Sequence, residues 1–138
     1  MFETNEKLHR KEHRILVVED ESIVRNFTQS ALLRDGYTVF TAKTGKEAQD
    51  LFKKEEGSFH LVLSDIHLPD IKGIKLAEEF RLKNPLLKII VSSGYLYEEL
   101  RNTEIQNKQV RFLQKPYDLE ELLCTVNDIL VNRQTSTL

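Results

Sequence analysis

The chain has 138 residues, of which 20 are Lys or Arg and 22 are Asp or Glu, so its formal net charge is −2. A chain of this length buries roughly 70% of the surface that it exposes when unfolded, which is enough for one hydrophobic core in one domain. The single cysteine, Cys124, excludes an intramolecular disulfide framework, and the near-neutral charge argues against a nucleic-acid binder, which needs clustered Lys and Arg.

The sequence has no segment that is typical of export or of membrane insertion. No apolar run approaches the ~20 residues of a membrane helix. The polar residues 1–13 lack the apolar stretch of a signal peptide. We therefore expect a cytoplasmic protein without membrane or nucleic-acid partners, built as one domain over residues 14–131 between polar tails at 1–13 and 132–138.

Five short apolar runs are spaced along the chain so that a helix fits between each pair. They lie at residues 15–18, 37–41, 61–63, 88–91 and 110–113. A short continuous apolar run is typical of a strand that is buried on both faces of a parallel sheet. The alternation of strand and helix therefore predicts an α/β domain, in which helices cover both faces of a five-stranded parallel sheet.

The first two predicted helices have clear start and stop signals. The first is expected to begin at a Ser22 cap and to end at Gly36, because glycine readily adopts the left-handed conformation that ends a helix. The second begins with Thr44 and Glu47, which form a capping box, and ends near Gly57.

Three more helices complete the predicted domain. The third spans residues 73–83, and the last begins at Asp118 and carries the most regular apolar stripe in the sequence. A helix over 95–106 has the weakest pattern, because only Leu96 and Leu100 share an apolar stripe. Few apolar contacts would hold this helix, so it is the element expected to move at low energetic cost.

Polar side chains stand at the ends of four predicted strands, at the edge where open parallel sheets bind ligands. They are Glu19, Asp20 and Glu21, then Ser64 and Asp65, then Ser92 and Ser93, and finally Lys115. Crowded carboxylates repel one another unless a cation joins them, and oxygen ligands suit Mg²⁺. A lysine and a serine hydroxyl can hold phosphoryl oxygens. Because the chain has no Gly-rich phosphate loop, we expect a covalent phosphoryl group on an aspartate.

The motifs at these strand ends resemble the signature of the response-regulator receiver domains of two-component signalling. They are Glu19-Asp20, the segment 61–73 around Asp65, Ser93-Gly94 and Lys115-Pro116. They occur in the family's order, each at a predicted strand end, and the resemblance covers residues 14–131. It implies a flavodoxin-like, doubly wound (βα)₅ fold with strand order 2-1-3-4-5, and a phosphorylation-controlled switch rather than an enzyme.

The resemblance also implies a role for each residue of the site. Asp65 would accept a phosphoryl group from a phosphohistidine on a sensor histidine kinase or a histidine phosphotransfer protein. Asp65 and Asp20 would ligate Mg²⁺ together with the backbone carbonyl of His67, and Glu19 would act through a bound water. Lys115 would pair with Asp65 and then with the phosphoryl oxygens.

Further positions are implied to control the switch and the lifetime of the signal. Ser93 would hydrogen-bond the attached phosphoryl group, and Phe112 would be the aromatic side chain that turns with it. A downstream protein would bind the face formed by the helix over 95–106, the fifth strand and the last helix. His67 and Tyr95 would flank the path of the hydrolytic water. We expect their bulk to obstruct this water, with His67 acting as a base as the alternative.

Three other functions compete with this interpretation. A haloacid-dehalogenase-type phosphatase needs a second acid two residues after the acceptor, where this chain has His67. A flavodoxin-like carrier needs a phosphate loop after the first strand, where residues 19–21 would repel a phosphate. A non-phosphorylated pseudo-receiver would be expected to lack Asp65, Lys115 or the acidic pair Glu19-Asp20, and all are present. The sequence leaves open whether the chain is a stand-alone receiver or part of a larger regulator or hybrid kinase.

Overall fold

The computed structural model describes residues 12–94 and 110–131. Its strands are β1 (Arg14–Val18), β2 (Thr38–Ala42), β3 (Leu61–Asp65), β4 (Lys88–Ser93) and β5 (Val110–Gln114). They form one sheet in the order β2-β1-β3-β4-β5, and each neighbouring pair is parallel. The predicted parallel sheet and its strand order are confirmed.

The described residues form four helices. They are α1 (Ser22–Arg34), α2 (Gly45–Lys54), α3 (Gly73–Lys83) and α4 (Leu119–Val131). Four of the five predicted helices are therefore present, and the predicted helix over 95–106 lies outside the described residues. Within the described ranges, no helix combines the length and the apolar character that spanning a membrane requires.

The start of α1 corrects the sequence-based prediction. The N-cap residue of this helix is Glu21 and not Ser22, and Glu21 has an extended backbone. Among the described residues, the Glu21 side chain makes no capping hydrogen bond to the first turn. The reason is a contact of the turn after β1: the Glu21 N–H donates to Glu19 Oε2 over 3.1 Å. Because this bond fixes the backbone at Glu21, α1 begins at Ser22, one residue earlier than it would with Ser22 as the cap.

Three other helix ends follow the predicted chemistry, except that the Glu47 carboxylate accepts the N–H of Lys43 and not that of Thr44. At the start of α2, the Glu47 N–H donates to Thr44 Oγ1 over 3.1 Å. At the start of α4, the Glu121 N–H donates to Asp118 Oδ1 over 2.8 Å, and the Asp118 N–H donates to Glu121 Oε1 over 3.0 Å. At the end of α1, Gly36 has a φ of 102°, as a left-handed helix end requires.

Two hydrophobic cores lie on opposite faces of the sheet. Side chains of α2 and α3 form one core, in which the Phe52 and Phe80 rings stack with their centroids 4.0 Å apart. Side chains of α1 and α4 form the other, around Leu32 and Leu122. Because both faces are covered, the central strands are fully buried, and their carboxyl ends meet at one edge of the sheet.

Candidate functional site

Three carboxylates and one lysine meet at the carboxyl edge of the sheet. Glu19 and Asp20 directly follow β1, Asp65 is the last residue of β3, and Lys115 directly follows β5. One carboxylate oxygen from each of the three acids lies within 4.8 Å of the other two. The parallel sheet thus brings together four of the residues that the sequence predicts to form the site.

Lys115 is shared by two buried carboxylates. Its Nζ lies 2.8 Å from Glu19 Oε1 and 3.0 Å from Asp65 Oδ2. Burial lowers the pKa of Lys115, but the hydrogen bonds and charges of Glu19 and Asp65 together outweigh burial, so the pKa lies above its ordinary value. The lysine therefore remains a cation at neutral pH.

Glu19 is the most deeply buried acid of the site. Its residue is 2% exposed, and while Oε1 pairs with Lys115, Oε2 accepts the N–H of Glu21. Burial raises the pKa of Glu19 above its ordinary value, because it outweighs the hydrogen bonds from Lys115 and Glu21. Protein donors thus hold both oxygens of Glu19, whereas Asp20 is exposed at the surface of the same edge.

Asp65 is held in one orientation by two different donors. Oδ1 accepts the N–H of His67 over 2.9 Å, and Oδ2 accepts a hydrogen bond from Lys115 Nζ over 3.0 Å. The residue is 6% exposed. A buried aspartate that is oriented in this way, beside a lysine, is suited to act as a nucleophile.

Gly73 allows α3 to begin directly against β3, the strand that ends in Asp65. Its N–H donates to the carbonyl of Ile66 over 2.8 Å. A Cβ added at Gly73 would lie 2.1 Å from the backbone oxygen of Asp65. Only glycine permits this close approach, so Gly73 fixes the path of the loop that follows Asp65.

The remaining predicted residues lie on neighbouring elements. Ser93 is 1% exposed at the end of β4, where its carbonyl accepts the N–H of Lys115 over 2.9 Å. Phe112 on β5 is half-buried and packs against the core under α2 and α3. The side chain of His67 is exposed, and its backbone N–H contacts Asp65. Tyr95 lies outside the described residues.

Three further side chains hold this edge although no sequence motif singles them out. Arg25 Nη1 on α1 donates to the backbone carbonyl of Glu19 over 2.9 Å. The hydroxyls of Tyr117 and Thr28 are hydrogen-bonded over 2.7 Å, which ties the turn after Lys115 to α1. The Tyr117–Thr28 pair joins residues that are 89 positions apart, which explains why a local sequence pattern does not reveal it.

The donor set of Glu19, Asp20 and Asp65 fits a hard divalent cation. It consists of carboxylate oxygens alone, which Mg²⁺ prefers over nitrogen or sulfur ligands. Three carboxylates this close also repel one another, and Lys115 supplies only one compensating charge. The cluster could therefore hold a metal ion, and a cation there would relieve the remaining repulsion.

The comparison with known families agrees with this geometry. The response regulator receiver domain family matches residues 15–127. The chain belongs to this family. Receiver domains are the signalling modules of two-component systems, which confirms the predicted resemblance and the coarse functional class.

Relatives of this receiver domain occur in proteins of different sizes. The sensor kinase CckA of Brucella abortus (strain 2308) is 35% identical over 116 residues, which cover 84% of this chain and 12% of the kinase. The response regulator receiver protein CpdR of the same organism is 31% identical over 118 residues, which cover 86% of this chain and 97% of CpdR. The chain thus matches a small part of one relative and nearly all of another.

A solved structure supports the same fold. The CheY-like receiver domain protein from Methanospirillum hungatei JF-1 superposes with a TM-score of 0.77 at 31% identity, over 90% of this chain and 98% of that protein. The flavodoxin-like arrangement that the sequence predicts is therefore confirmed by this likeness and by the strand order.

Proposed function

We propose that this receiver domain accepts a phosphoryl group on Asp65 from the phosphohistidine of a sensor histidine kinase or a histidine phosphotransfer protein. The observation that carries the proposal is the double restraint of the Asp65 carboxylate. One oxygen accepts the N–H of His67 and the other faces Lys115. A carboxylate held in this way needs little reorganisation before it attacks phosphorus.

The transfer forms one bond and breaks one. An Asp65 oxygen bonds to phosphorus, the bond from phosphorus to the donor imidazole nitrogen breaks, and the imidazole leaves with the electron pair. Lys115 Nζ, which lies 3.0 Å from Asp65 Oδ2, offsets part of the negative charge that the carboxylate and the incoming phosphoryl group bring together. Because the incoming group is an anion beside three carboxylates, Lys115 also moves toward its oxygens as it arrives.

A divalent cation completes the charge balance. Asp20, Asp65 and the backbone carbonyl of His67 are the proposed ligands of Mg²⁺, and Glu19, whose oxygens already have protein donors, acts through a water. When bound, Mg²⁺ would stabilise the negative charge that develops on the phosphoryl oxygens. Asp20→Ala is expected to abolish Mg²⁺ binding, because too few hard oxygens remain for the ion.

We further propose that Ser93 and Phe112 relay the phosphorylation state to a downstream protein. The Ser93 hydroxyl would donate to a phosphoryl oxygen, and Phe112 would turn with it. The docking face would include β5, α4 and residues 95–106. The half-buried position of Phe112 supports this proposal, because a fully packed ring would resist rotation. The cytoplasmic location, and the lack of membrane and nucleic-acid partners, stay predictions.

The acceptor can be tested with a small phosphodonor. Wild-type protein incubated with Mg²⁺ and acetyl phosphate should gain the mass of one phosphoryl group, and Asp65→Asn should gain none. Asp128→Asn, which changes an exposed carboxylate on α4, is the matched control and should react like the wild type. If the wild type gains no phosphoryl group from any donor, including acetyl phosphate, phosphoramidate and a phosphorylated histidine kinase, the pseudo-receiver alternative replaces this proposal.

A further inference from the structure

An exposed carboxylate on the loop after the acceptor contacts a distant helix. Asp70 Oδ1 accepts the N–H of Gly45 and Oδ2 accepts the N–H of Lys46, each over 2.9 Å. Gly45 and Lys46 are the first two residues of α2. The hydrogen bond from Gly45 holds the pKa of Asp70 below its ordinary value. The carboxylate thus uses both oxygens to cap a helix that lies elsewhere in the chain.

Close packing reinforces this contact at the next residue. A Cβ added at Gly45 would lie 2.1 Å from Ile71 Cγ2, so the loop and the first turn of α2 touch. Ile71 is half-buried and also packs against the core under α2 and α3. Two consecutive loop residues, one polar and one apolar, are therefore fixed on α2.

The rest of the loop connects these two residues to the acceptor. His67 and Lys72 form an antiparallel bridge, which closes the loop at its base. On the acceptor side, the His67 N–H donates to Asp65 Oδ1. Asp70 and Ile71 lie between the two bridging residues in sequence. A displacement of the Asp70 end would consequently move the backbone of His67.

The helix does not depend on Asp70 alone for its cap. Thr44 Oγ1 accepts the N–H of Glu47 in the same first turn of α2, so this helix also has a local capping residue. The two capping groups differ in one respect: Thr44 adjoins α2, whereas Asp70 links α2 to a loop 25 residues further along the chain. Removing Thr44 therefore affects only the cap of α2, whereas removing Asp70 also breaks the link between α2 and the loop.

We propose that Asp70 is a positioning residue that anchors the loop after Asp65 on helix α2 and thereby fixes the backbone carbonyl of His67 for the divalent cation. The identity of that cation site rests on the proposed function. Groups that orient a metal ligand without touching the metal typically change its affinity by about 10-fold to 100-fold when they are removed. Asp70 does not contact the proposed ligand itself but acts on it through the loop backbone, so we expect its removal to lower Mg²⁺ affinity by an amount at the lower end of that range.

Three variants test the anchor. Without metal, the variant Asp70→Ala should show faster amide hydrogen exchange than wild type at His67 and Gly73. When Mg²⁺ is titrated into the same variant, calorimetry should show an affinity lowered roughly tenfold. Thr44→Ala is the matched control: it should speed exchange at Glu47 and leave both the loop amides and the Mg²⁺ affinity unchanged. Asp70→Asn removes the charge but keeps one acceptor oxygen, so it should recover much of the lost affinity.

The outcomes separate this inference from the function on which it rests. If Asp70→Ala and Thr44→Ala change loop exchange and Mg²⁺ affinity equally, Asp70 is only a helix cap and the inference is wrong. If Asp70→Asn and Asp70→Ala lose the same Mg²⁺ affinity while exchange of the loop amides stays at the wild-type rate, the effect is one of charge and the anchor is again excluded. A wild type that binds no Mg²⁺ overturns the proposed cation site itself, together with the inference.

Discussion

Lys115 offsets part of the negative charge of the site through contacts with two buried carboxylates. It lies 2.8 Å from Glu19 and 3.0 Å from Asp65, and its side chain is only 15% exposed. Removing one partner from a buried set of charges is strongly unfavourable, because the remaining charges stay desolvated without compensation. The stability of this edge and its chemistry therefore depend on the same side chain.

The variant Lys115→Met tests how much Lys115 contributes to the stability of this edge. It keeps the length of the side chain but leaves two buried carboxylates together, so we expect a loss of roughly 3 kcal/mol in unfolding free energy at pH 7. Acidification should shrink this deficit, because the raised pKa of Glu19 lets that carboxyl take up a proton first. Urea denaturation at several pH values measures both effects. The control Lys53→Met, at an exposed position on α2, should lower the unfolding free energy little. A loss of unfolding free energy in Lys115→Met that does not depend on pH would contradict this account.

The hydroxyl pair of Thr28 and Tyr117 makes a second residue-scale prediction. Thr28 is fully buried and bonds to the Tyr117 hydroxyl over 2.7 Å. Thr28→Val or Tyr117→Phe alone should each lower stability by about 1–3 kcal/mol, because the remaining hydroxyl loses its partner. The double variant should lose less than the sum of the two single variants, and thermal or urea unfolding can measure the cycle. Additive losses would show that the two hydroxyls do not depend on one another.

At the scale of elements, the first turn of α2 connects a helix, a loop and the acceptor. Hydrogen bonds in the folded state lower the pKa of Asp70. The ionised carboxylate therefore stabilises the fold fully at pH values above its unfolded-state pKa of about 3.9, and this stabilisation is lost as the pH falls through its folded-state pKa. The stability advantage of wild type over Asp70→Asn should therefore be constant from about pH 7 to 5 and shrink toward pH 3. Urea titrations of both proteins check this, and an advantage that grows on acidification would refute it.

Much of the fold was predictable because it follows from local patterns. The five apolar runs became five parallel strands. The Thr44 hydroxyl caps the start of α2, and the reciprocal capping box of Asp118 and Glu121 starts α4. The Ser22 cap was wrong because a contact of Glu21 with Glu19 decides where α1 begins. Local pattern and tertiary contact compete at such positions, and the contact prevails when it satisfies a backbone N–H at the edge of a buried site.

The site was predictable in part for a related reason. Residues at strand ends converge because parallel strands present their carboxyl ends at one edge, so Asp20, Asp65 and Lys115 could be assigned to one place. The Asp70 contact with α2 joins residues 24 and 25 positions apart. Such pairs have no periodicity in the sequence, and only the folded chain reveals them.

At the scale of the whole molecule, the lifetime of the phosphorylated state sets how long a signal lasts. His67 is exposed two residues after Asp65, and we expect the bulk of its side chain to obstruct the hydrolytic water. His67→Ala should then lose its phosphoryl group faster than the wild type. Tyr95→Ala should behave in the same way if the Tyr95 side chain flanks the same path.

Phosphoryl loss followed by intact mass between about pH 5.5 and 8, a range that spans the titration of ordinary histidines, separates the two roles of His67. Obstruction predicts faster loss in His67→Ala at every pH. Slower loss in this variant, together with a wild-type rate that climbs with pH, would instead show that His67 acts as a base.

The central claim is that Asp65 is the residue that carries the phosphoryl group. Borohydride reduction of the phosphorylated protein converts an aspartyl phosphate to homoserine, and tandem mass spectrometry of the resulting peptides locates the change. We predict homoserine at position 65 in wild type treated with Mg²⁺ and a phosphodonor, and none when Mg²⁺ is chelated. Homoserine at Asp20, or a phosphoryl group that resists borohydride because it sits on a serine or a histidine, would contradict the account.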